Sequence, residues 1–522
     1  MYRKGILWIF IGGFLTVVFF AAQPHSLFLN SPDETANLFY TNQIKEHQTF
    51  SYHVPDIYPD TLLKYIHPRS TKVLTPGVVI PISYLGLPLL YGLLSAVVGT
   101  SGIPILTSFF VLVLLYALAK KIFMSEWMAT AATFLTLTLP PFLYFSIRGY
   151  FHSILFLLFV LIAAYFSFEI KKKKTLSLPL IFSAFFLAVA FWVRTNEAVW
   201  LVPLFIGIFI YAKISWKKIM LWFFALIISL LPIFFISSSL SGAVTQYVDI
   251  GKQSNIVSNF DTLKSLIFPF GVDIRRSFTQ FWLFLKETWW VACFGLIGII
   301  LFILQKKEKT KRFWILTLFL LLASIFLVMY YGGLPIKQQK QSILISNSHF
   351  RYWLPFFFVF SVMSAYSISQ IKKSNSIKII CLCVFAAGSL YYLFTSNTGI
   401  FDLRLQNELA YKRNTLFQTY LEPDALVFAG SADKYFFPDW QVVGSDMFSR
   451  RVEFVHAVTE TTTTIPVYYY FVDADISSHF TKEALEKAGV KFTYVAQFWD
   501  GGHAWEYLYK LDWPNKEKHV DE

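Results

Sequence analysis

The chain of 522 residues is 56% hydrophobic and 19% aromatic, with 57 Phe, and only 15% charged. A soluble domain carries about 25% charged residues, and a chain with a mean hydropathy of +0.53 cannot cover a water-exposed surface. Disordered, collagen-like and disulfide-scaffold classes are excluded as well, which leaves a polytopic membrane protein. The net charge of +13 reads as topology, because Lys and Arg collect in cytoplasmic loops, and no nucleic-acid partner is expected.

Arg3 and Lys4 precede an apolar run over 5–22. The run is long for a signal peptide and lacks a good cleavage site, so it predicts an uncleaved first span with a cytoplasmic N-terminus. Further apolar runs follow at about 77–98, 102–119, 127–147, 151–169, 176–193, 198–212, 219–240, 288–304, 313–331, 350–369 and 377–396. Lysine-rich clusters at 120–121, 171–174, 213–218, 306–312 and 372–378 should all be cytoplasmic. They can be so only if one early run does not cross. Pro81, Pro88, Gly77, Gly86 and Gly92 interrupt the run 77–98, which marks 76–99 as a re-entrant or interfacial segment. About eleven transmembrane helices remain.

The expected domains are 1–396, membrane-embedded with outer loops 23–101 and 241–287, and 397–522, an extracytoplasmic α/β domain. Within 241–287, the stretch 274–286 is amphipathic and suits an interfacial helix. In the C-terminal domain, 425–429, 465–472, 491–498 and 505–511 read as strands, and 478–488 reads as a helix ended by Gly489. Cys293, Cys381 and Cys383 lie in apolar runs and read as apolar fillers.

Ionisable residues on the outer side are the candidates for chemistry, because burying them near lipid is expensive. Asp33 and Glu34 follow Ser31-Pro32. They suit first of all a helix start that favours acids, and they also suit a general base that takes a proton from an incoming hydroxyl. Arg148, Arg194 and Arg351 each lie at the outer edge of a span. Any one could snorkel to headgroups, but three on one face suit phosphate, which guanidinium binds in bidentate fashion. Further candidates are His67 and Arg69 before the re-entrant run, Glu197 beside Arg194, and Tyr352 beside Arg351. No spacing specifies a metal site.

These residues, in this order, resemble a family. Asp33-Glu34-Thr35-Ala36-Asn37-Leu38-Phe39-Tyr40, His67-Pro68, the Pro/Tyr-rich run 81–99, Arg148, Arg194 at its outer tip, and Arg351-Tyr352 with Pro355 are similar to motifs of GT-C-fold glycosyltransferases. The likeness is to relatives of protein O-mannosyltransferases and aminoarabinose transferase, and it covers most of residues 1–400. Two departures stand out. Related enzymes often carry a second acid shortly after the Arg148 equivalent, where this chain has His152, and the oligosaccharyltransferase-type Trp-Trp-Asp motif is absent from the sequence.

The resemblance implies transfer of a sugar from a polyprenyl-phosphate donor to an acceptor hydroxyl at the outer face, by an inverting single displacement. It implies Asp33 and Glu34 as catalytic, Arg351, Arg194 and Arg148 as donor-phosphate ligands, and His67, Arg69, His152, Tyr352 and Glu197 as substrate contacts. The partners expected are the lipid-linked donor, membrane lipid and a hydroxyl acceptor. No cofactor is required, and a divalent ion near Asp33 stays open. The alternatives are a transporter or flippase of lipid-linked sugars, or a non-catalytic scaffold.

Overall fold

A computed structural model describes residues 2–23, 29, 31–82, 84–170, 178–241, 271, 273–304, 311–332, 348–371, 375–396, 399–444, 457, 465–473, 475–499 and 505–513. The lysine clusters at 171–174, 306–310 and 372–373, and most of the loop 241–287, lie outside the described residues. Two compact units emerge: Met1–Phe20 with Thr100–Asp402, and Ala21–Gly99 with Leu403–Glu522. The chain passes into the second unit six residues after the expected boundary at 396/397, and the first loop belongs to that unit too.

The first unit is helical. Among the described residues, five helical stretches are long and apolar enough to cross a bilayer, or seven if each of two bent pairs is one span. Five shorter apolar helices accompany them, so a count of eleven would need four of these to cross as well. One bent pair, Glu126–Leu137 with Pro140–Ile147, turns by 61° at a proline pair that cannot continue the first helix's hydrogen bonding. The other joins Ile274–Glu287 to Trp289–Leu304 at 105°. Ile274–Glu287 starts at Asp273, whose side chain accepts from the Arg276 amide. It exposes Ile274, Phe278 and Trp282 on one face and buries Phe284 on the other. Such a helix suits the membrane–water boundary.

Close packing holds the spans together. Gly298 lies against the helix Leu354–Ser369, where a methyl group in its place would sit 1.9 Å from the Met363 carbonyl oxygen. Small residues let helices approach this closely in lipid. Gly298→Ala is therefore expected to destabilise the protein by about 1–3 kcal/mol through overpacking. A thermal melt in detergent unchanged from wild type would refute the close approach.

The second unit carries two sheets. The smaller is antiparallel, ordered β1 (Tyr52–His53), β3 (Val78–Pro81), β2 (Thr71–Thr75). The β2–β3 hairpin turns at Pro76-Gly77, with Gly77 at φ 78. Proline presets the first corner, and glycine accepts the left-handed second one. The segment expected to be re-entrant therefore begins as a strand. It then forms the helix Gly86–Val98, whose 13 residues extend only about 20 Å against a hydrocarbon core of about 30 Å.

The larger sheet is ordered β5 (Gln441–Val443), β4 (Leu426–Phe428), β6 (Val467–Val472), β8 (Trp505–Asp512), β7 (Lys491–Trp499). β5, β4 and β6 run parallel, and β6, β8 and β7 antiparallel. Val54, Leu62, Ile66 and Val79 from the first loop share one apolar core with Leu426, Phe428, Val443 and Tyr469 of this sheet. Ile476–Lys487 is the expected helix, and Ile400–Tyr420 is a helix the sequence reading did not anticipate. Across the sheet's other face, buried Arg413 pairs with Glu506 at 2.8 Å. Burial disfavours the Arg413 charge, but the neighbouring Tyr470 and Glu506 outweigh it and raise the guanidinium above its ordinary value, so the cation is fixed.

Candidate functional site

In the second unit the helix Pro32–His47 begins as its sequence predicts. Ser31 is extended, Pro32 opens the first turn, and Asp33 and Glu34 fall within it. Glu34 is fully buried, and Asp33 is half-buried. Asp33 Oδ1 accepts a hydrogen bond from the Ser70 hydroxyl at 2.7 Å. Ser70 has φ 62, a left-handed backbone that a serine adopts only when its surroundings hold it there.

The hold is next door. Arg69 gives Asp433 three bonds: its backbone amide to Oδ2 at 2.5 Å, Nε to Oδ1 at 3.0 Å, and a terminal nitrogen to Oδ1 at 2.9 Å. Asp433 is only 1% exposed. His67 pairs through its backbone with Val443 and Gly444 of the C-terminal region, and its ring Nδ1 lies 3.1 Å from the Pro68 carbonyl. The order Asp433, Arg69, Ser70, Asp33 is thus a continuous chain of contacts that fixes one oxygen of the Asp33 carboxylate.

In the first unit the three arginines come together over aromatic rings. The Arg148 and Arg351 guanidinium carbons lie 4.9 and 4.2 Å from the centre of the Phe151 ring. The Arg351 and Arg194 carbons lie 4.8 and 4.9 Å from the centre of the Tyr352 ring. Arg351 also donates to the Tyr352 hydroxyl at 2.9 Å, and Arg148 to the Tyr144 hydroxyl at 3.3 Å. Arg194 pairs with Glu197 at 2.8 Å and donates to the Tyr331 hydroxyl at 2.8 Å. Tyr331 in turn donates to Glu197 and stacks on Tyr352 at 4.3 Å. Aromatic faces attract cations and orient the guanidinium plane, so two rings gather three cations from three distant segments. His152 opens the helix after this turn and is partly exposed.

Glu197 is 1% exposed and also accepts from the Trp200 indole. Trp200 also lines a cavity of about 260 Å³. Leu115, Leu157, Leu327, Pro355 and Phe358 share that wall, and Ser324 is the one polar side chain among the described lining residues. Pro355 lies four positions after Arg351. Trp200 and Glu197 thus link the cation cluster to an apolar cavity. Among the described residues no three His, Cys, Asp or Glu side chains group as metal ligands. Sequence reasoning missed Tyr331, Trp200, Ser70 and Asp433. Only the aromatic pair Tyr330-Tyr331 at the end of its apolar run gave a signal.

A solved structure of ArnT from Cupriavidus metallidurans, bound to undecaprenyl phosphate, aligns with 96% of this chain and 97% of its own, with a TM-score of 0.51 at 11% identity. The fold is that of the GT-C membrane glycosyltransferases. The likeness covers both units, and the long apolar helices are those of an integral membrane protein. An oligosaccharyltransferase of Archaeoglobus fulgidus, solved with zinc and sulfate, aligns with 88% of this chain and 67% of its own, with a TM-score of 0.47 at 12% identity. No family model matches the sequence, and no curated protein matches it.

Proposed function

We propose that the protein is a glycosyltransferase that moves a sugar from a polyprenyl-phosphate carrier to an acceptor hydroxyl on the extracytoplasmic face of the membrane. The observation that carries this reading is the arginine cluster joined through Glu197 and Trp200 to an apolar cavity. A polyprenyl-phosphate sugar is an anion on a long hydrocarbon, and this arrangement offers guanidinium to one part and apolar wall to the other. The undecaprenyl phosphate held by ArnT supports the same donor class. The lysine clusters expected in the cytoplasm support the outward placement.

In the reaction the acceptor oxygen attacks the anomeric carbon, the bond from that carbon to the phosphate oxygen breaks, and the configuration inverts. Asp33 takes the acceptor proton, and Glu34 orients Asp33 or contacts substrate. The donor phosphodiester carries one negative charge, and the departing polyprenyl phosphate gains a second. Arg351, Arg194 and Arg148 stabilise that gain, which is the kind of preorganised charge that lowers a barrier. Glu197 and Tyr352 hold the arginines, and Arg69 holds the turn that carries Ser70. His67 and His152 are the remaining candidates for substrate contact.

The purified chain in lipid nanodiscs, given a panel of polyprenyl-phosphate sugars and an acceptor extract, should release polyprenyl phosphate from at least one donor. Folded protein that neither turns over nor binds any donor would sink the proposal.

A further inference from the structure

The second unit contains a cavity of about 380 Å³ that the chemistry above does not use. It opens between the helix Pro32–His47, the later turns of Ile400–Tyr420 and the segment 434–439. Its volume falls within the range of small-molecule sites, about 300–1,000 Å³. Four carboxamides line it: Asn42, Asn407, Asn414 and Gln418. Tyr411, Tyr435 and Phe437 place rings in the same wall.

The charges there balance. Arg413 lines the cavity and is paired with Glu506, while its guanidinium rests on the Tyr435 ring at 4.6 Å. Lys434 and Asp439 add one charge of each sign. An anionic ligand would have to compete with Glu506 for Arg413. The carboxamides are only partly engaged. Gln418 donates to Asn414 and Asn414 to Asp439, each at 3.0 Å. Asn407 is 1% exposed and donates to the Ala22 carbonyl at 2.9 Å, yet its own oxygen meets no donor among the described residues. A buried acceptor is expected to be satisfied, so this oxygen asks for a ligand that brings a donor.

Neutral charge, planar amides that both donate and accept, an orphaned acceptor and aromatic faces together describe one ligand class. A sugar ring presents hydroxyls around its rim and C–H groups on its faces. We infer that this cavity binds a neutral carbohydrate, as a subsite for an acceptor glycan. The acceptor role rests on the proposed transferase function; the binding does not.

Saturation-transfer NMR and titration calorimetry on the full chain in nanodiscs test it, with maltose, cellobiose, mannobiose and chitobiose as probes and inorganic phosphate as the anionic comparison. At least one disaccharide should bind saturably. Asn414→Ala/Gln418→Ala should weaken it about tenfold, the loss expected from two hydrogen bonds. Tyr411→Ala, at a half-exposed ring, should weaken it independently. No disaccharide binding by folded protein that still binds polyprenyl phosphate would overturn the inference and leave the transferase reading standing. Binding unaffected by every variant, or phosphate binding that the double variant abolishes, would overturn it as well. Disaccharide binding without any donor binding would uphold the subsite and remove its acceptor role.

Discussion

Asp33→Asn is expected to lower transfer by about 10²–10⁴-fold, the range of a general base, with donor binding and thermal stability close to wild type. The argument rests on position. The carboxylate is half-buried at a helix start and has one oxygen fixed by Ser70. The serine hydroxyl donates to Oδ1 and so orients the carboxylate that would take the acceptor proton. Asparagine keeps the shape and an oxygen for Ser70, but it cannot take the proton.

The competing account makes Asp33 an ordinary first-turn acid. That account allows only about 0.3–1 kcal/mol of stability and no change in rate. Wild-type turnover by folded Asp33→Asn would settle matters in its favour. Ser70→Ala separates orientation from chemistry. It leaves the base present without its Ser70 bond, so kcat should fall by up to about 10²-fold, the scale of a misplaced catalytic group, while the donor KM stays put. A Ser70 that merely caps a turn would move stability and not kcat.

Much of this layout is legible in sequence, where the signal is local. Ser31-Pro32-Asp33-Glu34 marks a helix start whatever surrounds it, and the helix Pro32–His47 begins there. The four strands expected after residue 397 are all present within two residues at each end, because each is an apolar run between turn residues. β5 has three residues and β1 two, too few to show a period.

The site is less legible for a different reason. Arg194, Glu197 and Trp200 lie within one turn or two of each other, but Tyr331 reaches Glu197 across 134 positions. Asp433 reaches Arg69 across 364. Nothing in either local sequence names the other partner. The convergence of Arg148, Arg194 and Arg351 was legible only as a shared membrane edge. The rings of Phe151 and Tyr352, which bring them together, read in sequence as two more aromatics among many.

Arg351→Ala is expected to lower kcat by about 10²–10³-fold, the cost of removing one preorganised donor to a developing anion. Arg351 is the arginine that touches both rings, so it lies between the other two. Its partner Tyr352 can keep its stack on Tyr331 when the guanidinium is gone. Arg194 is a poorer choice for the test. Removing it leaves Glu197 buried without its cation, which would destabilise the fold whatever the role of the arginine in transfer.

Charge counting gives the test its direction. The donor carries one negative charge on phosphate and the released polyprenyl phosphate carries up to two near neutral pH. A residue that stabilises the charge gained on departure should hold the product more tightly than the donor. Arg351→Ala should therefore raise the inhibition constant of polyprenyl phosphate by a larger factor than the donor KM. Arg351→Lys restores the charge but not the planar fork or its stacking on Phe151 and Tyr352, so it should recover only part of the rate. Equal weakening of donor and product with kcat intact would show uniform binding instead, and wild-type behaviour of Arg351→Ala in all three quantities would remove the arginine from the reaction.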